Sequence, residues 1–431
     1  MKKQIETYLS RYSYKKSFLD QLPVSHDLGI IVTIPSYNEP NLLDSLKAIS
    51  SCILPKSSVE VIVVINQPED ASREIDRNNT DSYLKAISWN KEQQNDQLRF
   101  HIIYVKDLPS KDAGVGLARK IAMDEAVRRF IKNNNESGII VGFDADCTCD
   151  PNYLIEIDEK FASNPELDGV SIYFEHPVSS EKEDSRTLGI TSYELHLRYF
   201  IHALRFARFP YAFHCVGSSM AVRASAYAKQ GGMNKRKAGE DFHFLQKIIQ
   251  LGNFDEIITT RVIPSARISN RVPFGTGKAM MEWSDSGKDI FLTYNPKSFE
   301  DLRLLFSIIG KLYTTTDIAL KDVYRSLPDS IKEFIPGKEW VKVISGFQNQ
   351  SNSISVFTDK FFNWMNGLKT LQFIHFARDQ YYSNVSLDVA WAWLSSQING
   401  LPSGFESIRD ALYQIREHDR THPYHYTKNT Y

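Results

Sequence analysis

The chain has 431 residues, of which 42% are hydrophobic and 24% charged, and its formal net charge is -1 at pH 7. That length suits roughly two or three domains of ordinary globular composition. The balanced charge lacks the basic excess of nucleic-acid binders, so no nucleic-acid partner is expected.

Four cysteines (Cys52, Cys147, Cys149 and Cys215) suggest no disulfide framework and fit a reducing, cytoplasmic compartment. Cys147 and Cys149 have no second pair and no nearby His in zinc-site spacing, so no zinc site is read there. The amphipathic segment from Met1 to Gln21 has no apolar h-region or small-residue cleavage site, so no secretory signal is expected. No run approaches the roughly 18 apolar residues needed to span a bilayer. An integral membrane enzyme is therefore not expected; peripheral contact with the inner membrane face stays open.

In chain order, residues 1–27 read as an N-terminal helical segment. Gly29–Ile34 is an apolar, β-branched run ending at Pro35, the signature of a buried parallel strand. Asn41 to Ser50 has helical periodicity, and Glu60–Ile65 and Phe100–Val105 read as further buried strands. Gly116 to Lys132 is a long amphipathic helix, and Gly138–Phe143 is a fourth strand. Alternating strands and helices imply an α/β fold with a mostly parallel sheet flanked by helices. Ligands of such sheets bind beyond the carboxyl ends of the strands. From about Val272 the strand signals fade, and aromatic-rich helical patterns such as Phe299–Tyr313 and Leu387–Ile398 predict a mainly helical C-terminal domain over 280–431.

Three polar clusters follow from that placement. Pro35-Ser36-Tyr37-Asn38-Glu39 leaves the first strand, where Tyr37 could stack on a base; the plain alternative is a strand-to-helix turn capped by Asn38 or Asn41. Asp144-Ala145-Asp146 leaves the fourth strand, and two carboxylates one residue apart can reach one hard cation, Mg²⁺ or Mn²⁺. Asp150-Pro151 is the better helix-capping pair, which leaves Asp144 and Asp146 without a capping task. Gly239-Glu240-Asp241 opens a helical pattern; the helix dipole favours such acids, and the chemical reading is a general base for an acceptor hydroxyl.

Taken in order, these segments resemble the family 2 glycosyltransferases of the GT-A fold. Ile31 to Glu39 resembles the opening strand and Pro-x-Tyr-Asn-Glu loop, and Asp144-Ala145-Asp146 the Asp-x-Asp motif. Gly217 to Arg223 is similar to the small-residue strand beside the acceptor, and Gly231-Gly232-Met233 with Gly239-Glu240-Asp241 to the Gly-Gly-to-Glu-Asp run. The resemblance covers roughly 28–275 and implies a GT-A domain over 28–279. It implies that Pro35, Tyr37 and Glu39 hold the nucleotide and that Asp144 and Asp146 bind metal and diphosphate. It also implies Asp241 as the catalytic base of an inverting displacement, with Glu240 positioning the acceptor. The expected donor is a nucleoside diphosphate sugar, a UDP-sugar in the favoured reading, and the acceptor an unidentified hydroxyl.

Asn66 stands where the family usually carries a base-contacting Asp, and Arg119 matches the family pattern while Lys120 replaces its common Asn. The Gln-x-x-Arg-Trp motif of processive synthases is absent, so a single sugar addition is expected. The cationic segment Arg267 to Lys278, with Arg271 inside it, reads either as a lid whose Arg267 and Arg271 grip the diphosphate or as a solvated connector. His214 and His243 are candidate further metal ligands, with a plain structural role the alternative. The aromatic, Arg-bearing stretch Tyr193–Phe213 reads as a core-packing helix whose Arg stems cover apolar surface, or else as a membrane-leaning one. Trp391 and Trp393 read as core or interface. A nucleotidyltransferase is the enzyme alternative, but its Gly-rich basic loop is missing after the first strand. A non-catalytic sugar- or nucleotide-binding protein is the other alternative, at odds with the two intact acidic motifs.

Overall fold

The computed structural model describes residues 2–93, 95–178, 184–267, 275–286 and 290–424. The chain forms two compact units: one of Met1–Pro177 with Cys215–Met281, the other of Val178–His214 with Glu282–Tyr431. These units divide the chain differently from the expected segments. The first 27 residues go with the sheet-bearing unit, and the excursion 178–214 goes with the helical one.

In the first unit, β1 (Leu28–Ser36), β2 (Ser58–Pro68), β3 (Leu98–Leu108), β4 (Ile139–Gly142), β5 (Thr148–Cys149), β6 (Gly169–Phe174), β7 (Met220–Arg223) and β8 (Phe254–Ile263) form one sheet in the order β3-β2-β1-β4-β7-β6-β8-β5. The pairs β1–β2, β1–β4, β2–β3 and β6–β8 are parallel; β4–β7, β6–β7 and β5–β8 are antiparallel. This is the expected mostly parallel, helix-flanked sheet. Strands β1, β2 and β4 are almost wholly buried, which is why they read as continuous apolar runs.

The register positions the site. Thr33 lies opposite Ile62 on one side and Gly142 on the other, so the loops after β1, β2 and β4 leave the same edge of the sheet. Because β7 runs antiparallel to β4, with Met220 opposite Gly142, the segment before β7 reaches that edge too.

Two local expectations are corrected. β1 does not stop at Pro35, which pairs with Val64; beyond Thr33 only the β2 side is laddered, so a residue without an N–H is tolerated. Asp150 does not cap a helix: the helix Tyr153–Ser163 starts after Asn152, and Asp150 Oδ1 accepts from Arg261 Nε at 2.9 Å. A side-chain pair stabilises its carboxylate instead of the helix end.

The N-terminal helix Lys2–Arg11 is fastened to the helix Val115–Lys132 by a buried polar knot. Tyr8 Oη donates to Asp124 Oδ1 at 2.6 Å, Lys120 Nζ donates to Tyr8 Oη at 2.8 Å, and Tyr14 N donates to Asp124 Oδ2 at 2.6 Å. Lys120 thus serves to hold the N-terminal helix.

The second unit is mainly helical, as expected. Helices Pro296–Leu312 and Leu387–Gln397 fall where periodicity predicts them. Its core is aromatic: Tyr199 packs edge-on against Phe299 and Trp391, and Phe306 against Phe362. Trp391 is in that core, while Trp393 donates to Glu300 Oε1 at 2.9 Å. The aromatic stretch forms the helix Ser185–Phe206 with Tyr199 and Leu204 buried. One part of its reading is corrected: Arg198 does not cover apolar surface but is itself buried, in ion pairs with Glu194 and Asp419. Among the described residues no helix is long and apolar enough to cross a membrane.

Candidate active site

The two acidic motifs meet through Arg119, one turn into the 115–132 helix. This guanidinium is 3% exposed. Its Nη2 donates to Asp144 Oδ1 at 2.5 Å, and its Nε lies 3.2 Å from Glu240 Oε1. Such a close approach needs bare backbone opposite: a Cβ on Gly217 would lie 2.1 Å from Arg119 Nη1.

Glu240 and Asp241 open the helix Glu240–Ile249, as predicted. The preceding residue is left-handed at φ 68, a conformation glycine adopts without strain, so Gly239 supports the turn that aims both acids. Glu240 is buried. Desolvation, opposed by Arg119 and aided by Asp241, pushes its carboxyl up to about 7. Asp241 is half-buried, and both its oxygens accept from backbone amides: Oδ2 from Gly217 N at 3.0 Å and Oδ1 from Phe242 N at 2.7 Å.

Asp144 and Asp146 lie on the turn after β4, closed by Cys147 N donating to Asp144 O at 3.1 Å. One donor atom from each of Asp144, Asp146 and Cys147 falls within 4.8 Å of the others, close enough for a single ion to span. Burial, reinforced by Asp144 and Asp146, holds the Cys147 thiol well above its usual range. The two carboxylates suit a hard, oxygen-preferring divalent cation such as Mg²⁺ or Mn²⁺. Neither His214 nor His243 belongs to this group among the described residues. Burial lowers the His214 ring to about 3.

Arg267 brings in the cluster that leaves β1. Nη1 donates to Glu39 Oε1 at 2.9 Å, Nη2 also donates to Glu39 Oε2, and Nη2 lies 3.3 Å from Asp146 Oδ2. Glu39 is 2% exposed, and its Oε1 also accepts from Asn41 N at 2.9 Å. Pro35 is buried within β1, and Tyr37 is half-buried just beyond it. Asn66 is buried inside β2 instead of following it; Asn66 Nδ2 donates to Gly114 O at 3.5 Å. Arg271 lies outside the described residues. The structure therefore brings Glu39, Arg119, Asp144, Asp146, Glu240 and Arg267 into linked contacts, with Asp241 next to Glu240 in the chain. Sequence reading missed the Gly217 amide that holds Asp241, because a backbone donor leaves no side-chain signature.

Residues 31–231 match the model of glycosyl transferase family 2, the stretch that carries the first three of the motifs resembling that family. Among solved structures, residues 1–349 of TarS from S. aureus in complex with UDP-GlcNAc are similar, with 13% identity, 78% of this chain and 92% of that chain covered, and a TM-score of 0.41. GalNAc-T7 with UDP, GalNAc and Mn²⁺ is similar over 80% of this chain and 58% of that one, with 13% identity and a TM-score of 0.36. No protein with a curated description matches the chain.

Proposed function

We propose that this protein is a hexosyltransferase that moves one sugar from a nucleoside diphosphate sugar, a UDP-sugar in the favoured reading, to an acceptor hydroxyl with inversion. The observation that carries the reading is Arg119, buried and paired with both Asp144 and Glu240. It couples a carboxylate pair suited to a diphosphate-bound cation to a carboxylate pair suited to proton transfer.

Asp144 and Asp146 would hold Mg²⁺ or Mn²⁺, which when bound neutralises charge on the departing diphosphate. Asp241 takes the proton of the acceptor hydroxyl; the amides of Gly217 and Phe242 fix its carboxylate in direction. As the acceptor oxygen bonds to the anomeric carbon, the bond from that carbon to the β-phosphate oxygen breaks, and the nucleoside diphosphate leaves. Arg119 holds Asp144 and Glu240 in fixed relation, so the carboxylates need not reorganise during the reaction. Pro35, Tyr37 and Asn66 serve the nucleoside, and Arg267 steadies Glu39 beside Asp146.

The test incubates the full chain with a panel of nucleotide sugars and Mn²⁺ and measures donor hydrolysis and transfer to simple sugar acceptors. Turnover of at least one donor is expected, with Asp146→Asn silent. Absence of both nucleotide-sugar binding and turnover across the panel would overturn the reading.

A further inference from the structure

The second unit carries a cluster that sugar transfer does not use. It lies between the helix Ser185–Phe206 and the helix Ile408–Thr421. His202 Nε2 is 2.7 Å from Asp419 Oδ1, and His418 Nδ1 is 3.6 Å from the same oxygen. All three donor atoms fall within 4.8 Å of one another. A tetrahedral ion with bonds of about 2.0–2.1 Å needs donors roughly 3.4 Å apart, and the two measured separations bracket that spacing. We propose that His202, His418 and Asp419 form a site for a nitrogen-preferring divalent transition ion of the Zn²⁺ class, pinning the helix 408–421 to the helix 185–206.

Two further features support the site. His418 Nδ1 is buried and has no hydrogen-bond partner, an orphaned ring nitrogen that a metal would satisfy. The carboxylate is oriented from behind, as metal-binding carboxylates usually are: Arg198 Nη1 donates to Asp419 Oδ2 at 2.5 Å, which turns Oδ1 toward the two rings. Glu194 in turn accepts from Arg198 Nη2 at 2.7 Å and from Arg416 Nη2 at 2.7 Å, which fixes the guanidinium behind Asp419. With a metal in place, the His202 ring carries its proton on Nδ1, and the ion replaces the hydrogen that now joins Nε2 to Oδ1. Two imidazoles and one carboxylate select Zn²⁺ or Co²⁺ over Mg²⁺, which prefers oxygen throughout. The donor set thus differs from that of Asp144 and Asp146.

Co²⁺ alone is the probe, because it absorbs visible light strongly in a tetrahedral nitrogen-containing site and weakly in an octahedral oxygen site. The full chain, stripped with a chelator, is titrated with Co²⁺. One equivalent is expected to give intense visible bands that Zn²⁺ displaces, together with a rise in melting temperature. The bands should persist in Asp146→Asn and vanish in His418→Ala. His418→Ala should leave the metal-free melting temperature close to the parent's, since its Nδ1 holds no hydrogen bond in the fold. His202→Ala is the second variant and should also lose the bands; if it fails to fold, His418→Ala alone decides. Intense bands that survive the histidine substitution, or none in the parent chain, would overturn the site.

Discussion

The guanidinium of Arg267 grips the carboxylate of Glu39 with both terminal nitrogens, across 228 residues of sequence. Arg267 also reaches Asp146, so one side chain ties the loop after β1 to the loop after β4. A planar fork matches a carboxylate in a way that an ammonium does not. Arg267→Ala is therefore expected to raise the donor KM about tenfold, equivalent to about 1.4 kcal/mol. Arg267→Lys should recover little of that loss. Steady-state kinetics on the active donor checks this; a lysine variant with parental KM would remove the role of the fork.

Asp241 is held by two backbone amides, those of Gly217 and Phe242, one on each carboxylate oxygen. Losing a positioned base costs on the order of 10²–10⁴ in rate. Asp241→Asn should lower kcat by that range while calorimetric donor affinity stays near the parent's. A parallel collapse of donor binding would mean that Asp241 holds the nucleotide sugar instead of serving the acceptor.

Glu240 and Glu60 respond to pH in opposite senses. Glu240 is pushed up to about 7, above its usual value of 4.5. Between those values the unfolded chain has released a proton that the folded chain still holds. Stability should therefore fall as pH rises through that window, by at most about 1.4 kcal/mol per pH unit. Glu60 is buried on β2. Burial would raise its carboxyl, but His101 and Arg129 hold it well below the usual range. Its contribution is present above the ordinary carboxylate range and is lost as pH falls through and below it. Melting curves from pH 2 to pH 8 should show both limbs. Glu240→Gln should flatten only the upper one, and an unchanged upper limb in that variant would show that Glu240 does not cause it.

Much of this was legible in the sequence because buried parallel strands advertise themselves: β1, β2 and β4 read as apolar runs, and the acids stand directly after them or at a helix start. What could not be read depends on distance along the chain. Lys120 looks like a defect in a motif until Tyr8, 112 residues earlier, is found against it. Nothing local to Glu39 announces Arg267. The units escaped detection for a related reason. The helix Ser185–Phe206 is interrupted from its own unit by the return of the chain to β7 and β8, so a reading that advances residue by residue assigns it to the sheet domain.

The cysteines supply the last case, since a sequence without a disulfide framework nevertheless brings two thiols together. Cys52 Sγ and Cys149 Sγ lie 3.7 Å apart although 97 residues separate them. A disulfide needs about 2.05 Å between the sulfurs, so a small side-chain adjustment suffices. Oxidised glutathione should therefore oxidise Cys52 and Cys149 to an intramolecular disulfide, each thiol losing a hydrogen while glutathione is reduced. Closing a loop of that length restricts the unfolded chain, and stabilisation of about 2–4 kcal/mol is typical. Intact mass should fall by two hydrogens, about 2 Da by the stoichiometry of forming one S–S bond. The melting temperature should rise, and Cys52→Ser should prevent both changes. Cys149 also follows Asp146 by three residues on β5, so the tethered protein offers a measure of how far the acidic turn must move. If oxidation leaves kcat unchanged, the turn works without moving away from the helix Leu42–Ser50; a fall in kcat that dithiothreitol reverses would mean that turnover requires that separation.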